Sequence, residues 1–392
     1  MTNSILFISS MDSVAWGGSE ELWSRAALNL ASQGFEVAAS VIEWSPLHRR
    51  VLQLQDAGIV LSTRARVPSV WESAWGRIFG LRQGAAAASV EKLIRDRRPD
   101  LVVLSSGTAF PFVDLVEICT SGGIPFVTIG QANHDGWWLD DQVARRLRPA
   151  MLAASRCFFV SEANRALAER QLGCSLPNAE IVRNPFNVDY NVAPAWPPLG
   201  RPELLRLASV GRLHPGSKGQ DILFQVLALP TWFDRSWLLT VYGEGPMRDG
   251  LERLTHFLGI ADRVVFASHV LDVEKIWATN HVLIMPSRFE GLPLSMVEAM
   301  LCARPVVATN VAGHAEIIED EVTGFLAQAP TPDSLNLALE RFWARRDQAE
   351  EMGKAGARRI RELVPPNPAS VFTKKLLDLL NSPKARGPRG AL

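Results

Sequence analysis

Short apolar runs rich in β-branched residues alternate along this chain with longer stretches whose apolar positions recur at helical spacing. The runs are Ile5–Ile8, Val37–Ile42, Ile59–Ser62, Leu101–Leu104, Phe126–Ile129, Cys157–Val160 and Ile181–Val182. A second series follows: Leu205–Val210, Leu238–Tyr242, Val264–Phe266, Val282–Met285, Val306–Ala308 and Gly324–Leu326. Such alternation predicts an α/β architecture of parallel sheets flanked by helices. The two series are separated by Ala193-Pro194-Ala195-Trp196-Pro197-Pro198. This break is short and stiff, which predicts two packed lobes with a cleft rather than independent beads. No internal repeat of solenoid length is present.

Length agrees with two lobes, since 392 residues exceed one ordinary core and divide into domains of roughly 150–200 residues. Basic and acidic residues balance at 41 each, so bulk charge implies no nucleic-acid partner. Cys119, Cys157, Cys174 and Cys302 lie far apart without a Cys-x-x-Cys pair and read as buried, reduced thiols of a cytosolic protein. Ile5–Ile8 is too short for a secretory leader, and no run approaches the roughly 18 apolar residues of a membrane span. The expected location is the cytoplasm, with a peripheral contact on the inner membrane face left open. Pro383–Gly390 reads as a frayed polar tail.

In open parallel sheets ligands bind beyond the carboxyl ends of the strands, so the loops after Ile8, Ile129, Val210, Val241 and Met285 draw the chemistry. After Met285, Glu290 and Glu298 are separated by seven residues across a strand–loop–helix junction. Gly291 and Pro293 break the strand, and Ser295 onward is helical, with Pro293 suited to the first turn. The amides at such a start attract an anion. A diphosphate resting there would set Glu290 toward the group beyond it and Glu298 toward a ribose cis-diol. Read alone, the two acids also fit a solvent-exposed helix start.

After Val210, Gly211-Arg212-Leu213-His214-Pro215-Gly216-Ser217-Lys218-Gly219 sets two cations in a glycine-flanked loop, a phosphate-holding arrangement or a charged surface turn. Gly243 and Gly245 form another turn opening a helix at Met247. In the first series, Gly17 and Gly18 precede Ser19, a helix N-cap candidate. His134 follows the strand ending at Ile129, as a ligand contact or a hydrogen-bonded surface residue. Trp137 and Trp138 follow directly, able to stack on sugar rings or brace the loop. Trp71, Trp75 and Ile78 share one helical face, with Arg64, Arg66, Arg77 and Arg82 around it. That stripe reads as core packing, or as an interface or a lipid-contacting face.

Taken in order, Gly17-Gly18-Ser19-Glu20, His134-Asp135, Asn184 with Val188-Asp189, Gly211-Arg212, Lys218-Gly219, Gly243-x-Gly245-Pro246, Glu290-x7-Glu298, Gly313-x-x-Glu316 and Thr323-Gly324 resemble the retaining nucleotide-sugar glycosyltransferases of family 4, the group 1 type. The resemblance covers about residues 1–365. It implies the GT-B fold, two Rossmann-like doubly wound parallel-sheet domains facing across a cleft. Residues 1–192 would form the acceptor-binding domain and 193–365 the donor-binding domain. Residues 366–392 would be a helix returning toward the N-terminal domain plus the tail.

The resemblance implies catalytic roles for Arg212, Lys218, Glu290 and His134. The two cations would neutralise the departing diphosphate, Glu290 would bind hydroxyls of the transferred sugar, and His134 would contact that sugar near its anomeric carbon. Gly17, Gly18, Gly211, Gly243, Gly245, Val270, Gly291, Leu292, Pro293, Leu294 and Glu298 would bind the donor, with Glu298 on the ribose. No metal and no cofactor are implied, and no Asp-x-Asp site appears. The partners would be a UDP- or GDP-sugar and a saccharide or lipid-linked acceptor, in cell-surface polysaccharide or glycolipid assembly. Two departures stand out. Arg183–Asp189 is longer than the usual Asn-Gly-Val-Asp turn, and Ala267-Ser268-His269 replaces a glycine that often borders the base. Rival functions on the same fold are a sugar-nucleotide epimerase or hydrolase and a catalytically silent nucleotide-sugar-binding protein.

Overall fold

The computed structural model describes residues 3–12, 14–65, 76–200, 203–268 and 270–382, with 76–86 as helical backbone alone. Trp71, Trp75, Arg66, His269 and the tail 383–392 lie outside the described residues. The chain divides into two compact units, Met1–Pro185 with Asn367–Leu392, and Phe186–Pro366. Each is a Rossmann-like parallel sheet with helices, and together they form the GT-B type of fold.

In the first unit the strands are β1 (Ser4–Ser9), β2 (Glu36–Ile42), β3 (Val60–Arg64), β4 (Leu101–Ser106), β5 (Phe126–Gly130), β6 (Arg156–Phe159) and β7 (Ala179–Ile181). They form one seven-stranded sheet in the order β3-β2-β1-β4-β5-β6-β7, every pair parallel. Successive side chains of a strand face opposite sides, and here both sides are dry. Ile5, Phe7, Leu101 and Val103 join one core layer with Trp23 and Phe372, while Leu6, Ile8, Val102 and Leu104 join the other with Val90 and Met151. Continuous apolar strands are what a sheet covered on both faces demands. The last helix, Pro368–Asn381, supplies Phe372, Leu376 and Leu380 to the first layer.

Arg64, grouped in the sequence with the arginines around the Trp71–Ile78 stripe, is a structural residue of the sheet. It is buried at the end of β3, donating to Ser40 Oγ at 2.6 Å and to the Ser9 carbonyl. Those partners come from neighbouring strands, so the guanidinium crosses the carboxyl edge of the sheet instead of facing solvent. Cys119, Cys157 and Cys302 are buried free thiols, whereas Cys174 is only half-buried, at the loop after a helix.

The second unit repeats the pattern with β8 (Leu205–Val210), β9 (Trp237–Tyr242), β10 (Val264–Ala267), β11 (Val282–Met285), β12 (Val306–Thr309) and β13 (Gly324–Ala327). Their order is β10-β9-β8-β11-β12-β13, again parallel throughout. In each sheet the order reverses once, between β1 and β4 and between β8 and β11. Loops leaving the carboxyl ends diverge at such a point and open a crevice. No helix of the described residues is long and apolar enough to cross a membrane.

Residues 186–192, expected with the first domain, belong to the second unit, because the strap that they begin is fastened there. Arg361 donates to the carbonyls of Tyr190 and Val192, and the Tyr190 hydroxyl donates back to the Arg361 carbonyl at 2.8 Å. Further on, His281 accepts from Arg206 N at 2.9 Å and donates from Nε2 to the Pro197 carbonyl at 3.0 Å. Arg304, 1% exposed, reaches both sides of the strap. It donates to the carbonyls of Trp277, Asn280 and Cys302 at 2.7, 3.0 and 2.8 Å, and to Ala195 at 2.7 Å. Its guanidinium lies 5.1 Å from the Trp196 ring centroid. Burial lowers its pKa to about 10, so the carbonyl cage must offset a real desolvation cost.

Removing the guanidinium strands several buried carbonyls at once. Arg304→Ala is expected to lower stability by about 3 kcal/mol or more, seen as a drop in the thermal unfolding midpoint. Arg304→Lys is expected to recover little, because one ammonium cannot span carbonyls on both sides of the strap; a lysine variant as stable as wild type would refute this role.

Candidate functional site

The crevice between β8 and β11 is built by two loops bonded to each other. The chain leaving β8 makes a single helical turn, Pro215–Lys218, and is reversed at Gly219, φ 65°. A Cβ there would stand 1.9 Å from the Pro286 carbonyl oxygen, so only glycine lets this turn lie against the end of β11. Arg288 then ties the loops. Its backbone N–H donates to Ser217 O at 2.8 Å, Nη1 donates to Pro215 O at 2.6 Å, and the guanidinium meets Asp221 bidentately at 2.7 and 2.8 Å. Sequence reading gave Arg288 no role, although it lies between Met285 and Glu290; its partners precede it by about seventy residues, beyond local spacing.

Arg288 thereby sets Lys218 beside Glu290. Lys218 Nζ donates to Glu290 Oε1 at 2.5 Å, and Ser287 Oγ donates to the same oxygen at 2.8 Å. Behind them, Thr309 Oγ1 donates to Ser287 O at 2.6 Å and His314 Nδ1 donates to Thr309 O at 2.7 Å. His314 is fully buried and its Nε2 has no hydrogen-bond partner. Burial lowers its pKa, with Glu290 acting in opposition, so it stays neutral with the proton on Nδ1. Sequence reading did not single out His314; a histidine inside Gly313-x-x-Glu316 was its only signal.

Arg212 is half-buried beside this pair. Among the described residues no hydrogen bond or ion pair engages its guanidinium, and burial lowers its pKa while Glu290 partly restores it. A desolvated cation in that state gains from an anionic ligand. Its own loop is rigid, as Gln220 Nε2 donates to Arg212 O at 2.8 Å. The loops after β8 and β9 are zipped by Gly211 N to Tyr242 O at 3.0 Å and Leu213 N to Glu244 O at 2.9 Å. Gly243, φ 134°, passes so near that a Cβ would lie 2.1 Å from Gly211 O. Val270 stands past β10, the edge strand, two strands from β8.

Across the loop, the helix after β11 runs Leu294–Leu301 with Pro293 as its N-cap, φ −70° and ψ 133°. Pro293 therefore precedes the first turn instead of occupying it. Gly291 O accepts from Gly313 N at 3.2 Å, and Leu292 and Pro293 are packed inward. Met296 N and Val297 N donate to Pro293 O at 3.2 and 3.4 Å, so in that first turn it is the amides of Leu294 and Ser295 that point ahead of the helix with no upstream carbonyl. Glu298 is 4% exposed, one turn into the helix, and its Oε1 accepts from Asn187 N at 2.9 Å and Asn187 Nδ2 at 3.0 Å.

In the first unit, Gly17 and Gly18 lead into the helix Glu20–Ser32, their carbonyls accepting from Glu20 N and Glu21 N at 3.0 and 3.3 Å. Ser19 occupies the N-cap position but its hydroxyl makes no cap bond and is buried without a partner. Its backbone is already helical, φ −63° and ψ −23°, which turns the side chain away from the amides it would cap. Gln131, after β5, donates to Ser19 O at 3.3 Å and exchanges amide bonds with Asn184 at 3.2 and 2.7 Å. This brings the His134 loop beside the glycine pair. His134 Nδ1 accepts from Gly136 N at 3.0 Å, so in the neutral ring Nε2 carries the proton and is a donor. Gln171 Nε2 holds the carbonyls of His134 and Trp137 at 3.0 and 3.2 Å. Trp137 leans on the His134 ring at 5.8 Å, and Trp138 is 66% exposed.

A hollow at the opposite, amino ends of β4–β7, lined by Asp100, Arg156, Glu180 and Lys375, contains none of the predicted site residues. Among the described residues no group of three or more His, Cys, Asp or Glu side chains could hold a metal ion.

Comparison with known proteins sets this geometry in a family. A family model described as Glycosyl transferases group 1 matches residues 205–345. The GDP-mannose-dependent alpha-(1-6)-phosphatidylinositol monomannoside mannosyltransferase of Mycobacterium tuberculosis is 30% identical over 279 residues, covering 66% of this chain and 70% of the relative. An uncharacterized glycosyltransferase of Methanocaldococcus jannaschii is 34% identical over 135 residues; that match is 34% of this chain and spans only about a third, 34%, of the relative. Among solved structures, Anabaena HepE in complex with UDP superposes with a TM-score of 0.73 at 19% identity, covering 96% of this chain and 100% of that one.

One buried acid of the first unit gives a pH test. Burial raises the Glu20 carboxyl from 4.5 to about 7, against Ser9, Trp23 and Arg64, which pull it down, with Glu21 adding to the rise. Its Oε1 is buried without a partner, while Oε2 accepts from Trp23 Nε1 at 3.0 Å. The folded state thus holds this proton more tightly than the unfolded chain. The stabilisation is complete below pH 4.5 and is lost as pH rises through about 7. Glu20→Gln is expected to melt several degrees above wild type at about pH 8 and to show no gain at or below the ordinary carboxyl value. A difference independent of pH would rule out the raised carboxyl.

Proposed function

Because this chain belongs to the group 1 glycosyl transferases, we propose that it transfers a sugar from a nucleotide-sugar donor to a saccharide or lipid-linked acceptor, with retention of configuration and without a metal ion. The observation that carries this reading is the crevice beyond β8 and β11. There Arg212 stands, with no ionic partner among the described residues, beside a Lys218–Glu290 pair and a helix start. Arg212 forks two diphosphate oxygens, Lys218 supplies a compact charge, and the first-turn amides of Leu294–Leu301 add the positive end of a helix dipole. These groups are fixed before the substrate arrives, so charge developing on the leaving diphosphate is met without reorganisation.

Glu290 faces the hydroxyls of the transferred sugar and Glu298 the ribose. His134, protonated on Nε2, donates a hydrogen bond to a hydroxyl of that sugar. The acceptor hydroxyl attacks the anomeric carbon on the face from which the diphosphate departs. As the carbon–oxygen bond to the diphosphate breaks, the acceptor's proton passes to the leaving phosphate oxygen. No protein nucleophile is required.

The donor is a UDP- or GDP-sugar; the mycobacterial relative is named for GDP-mannose and the Anabaena structure holds UDP, so both bases occur among similar proteins. That relative's acceptor is a phosphatidylinositol mannoside, which favours a lipid-linked acceptor here and a place in cell-surface glycolipid or polysaccharide assembly at the cytoplasmic membrane face.

Thermal unfolding with a panel of UDP-, GDP- and ADP-sugars tests the donor site. A ligand at about 100 times its dissociation constant adds about 2.7 kcal/mol, a shift of several degrees. One nucleotide class is expected to give it, and Glu298→Ala to lose it. Lys218→Ala is expected to keep binding within a few-fold while kcat falls about 100-fold. Absence of any shift across the panel would sink the reading.

A further inference from the structure

The second carboxylate of the spaced pair is held by the strap that opens the second unit. Asn187 converges on Glu298 Oε1 with two donors, its backbone N–H at 2.9 Å and its side-chain Nδ2 at 3.0 Å. Glu298 is buried, 4% exposed, whereas Asn187 lies at the surface, so the carboxylate is met from the solvent side of the strap. The residues that follow Asn187 are anchored independently of Glu298. Asp189 N donates to Glu274 Oε1 at 2.9 Å, and Tyr190 is bonded at both its hydroxyl and its carbonyl to Arg361. The strap therefore places Asn187, and Asn187 places the carboxylate.

Two N–H donors from one short residue define a plane as well as a distance, so they fix the torsion of the Glu298 carboxylate, which has otherwise a broad, nearly two-fold rotation about its last bond. We infer that Asn187 is a positioning residue for the donor: it sets the direction in which Glu298 meets the cis-diol of the donor ribose. This deepens the donor-site reading and rests on it. Asn187 lies in the stretch Arg183–Asp189, which carries it to Glu298. Removing the Nδ2 donor leaves the backbone donor in place and takes away one of the two bonds by which Asn187 orients that plane.

The test is calorimetric titration with UDP, GDP and the 2′-deoxy form of each, on wild type, Asn187→Ala, Asn187→Asp, Asn187→Ser and Glu298→Ala, with melting temperatures alongside. Wild type is expected to prefer one ribonucleotide over its 2′-deoxy form by about tenfold. Asn187→Ala is expected to lose most of that preference while affinity for the deoxy form moves by less than about twofold. Asn187→Asp, which sets a like charge against Glu298, loses more. Asn187→Ser restores a short donor and recovers part of the ratio. Glu298→Ala abolishes it. A ratio that survives intact in Asn187→Ala, or an equal loss for both nucleotides, overturns the inference and leaves the donor site standing. If wild type binds no nucleotide, or shows no ribose preference, the donor-site reading falls and takes the inference with it.

Discussion

The pairing of β8 with β11 is brief, Val282 beside Leu207 and Leu283 beside Ala208, and the chemistry of the second unit depends on where it ends. Beyond that pair the chain after β8 turns toward β9 while the chain after β11 turns toward β12. Parallel strands send all their following loops to one side, and the reversal of order makes two of them part. Gly219 and Arg288 prevent them from parting too far. One permits a backbone approach that a methyl group would forbid, and the other stitches three atoms of one loop to the other.

Within that opening the charges are unequally satisfied. Lys218 and Glu290 neutralise each other at 2.5 Å, and a chain of hydrogen bonds through Ser287 and Thr309 to His314 fixes the acid from behind. Arg212 has only the field of Glu290 against its desolvation. A site arranged in this way is neither a structural ion pair nor an open cationic patch. It is a partly compensated field, in which one cation has room for a further partner and the second already shares its charge with Glu290.

All the strands of both sheets were legible as β-prone runs: the central ones because a strand covered on both faces has no polar alternation to confuse with a loop, and the partly exposed edge strands β3, β7 and β10 from their β-branched and apolar residues. The spaced acids were legible for a similar reason: Gly291 and Pro293 mark the loop and Ser295-Met296-Val297 the helix, all within one short window. What escaped depends on distance along the chain. Arg64 looks like one more member of an arginine cluster, and only its neighbours Ser9 and Ser40, on other strands, make its burial tolerable. Arg304 is buried among the carbonyls of Trp277, Asn280 and Cys302 and, roughly a hundred residues away on the strap, Ala195. Ser19 has the residue type of a cap but the wrong backbone angles, which composition does not encode. Arg288, His314 and Asn187 are likewise defined by partners that spacing does not reveal.

The last helix gives the two units different histories. Phe186–Pro366 is one continuous piece of chain, and every strand that it needs is present once Ala327 has left the ribosome. The other unit is interrupted, and its core layer around Phe158 and Trp23 is completed by Phe372, Leu376 and Leu380. That layer cannot close until Pro368–Asn381 has been made, after every strand of the second unit, so the unit that starts earlier along the chain is completed later. In the interval its sheet has an uncovered apolar face, the condition that chaperones recognise. A protein shortened before Pro368 would keep that exposed surface permanently, however intact its second unit.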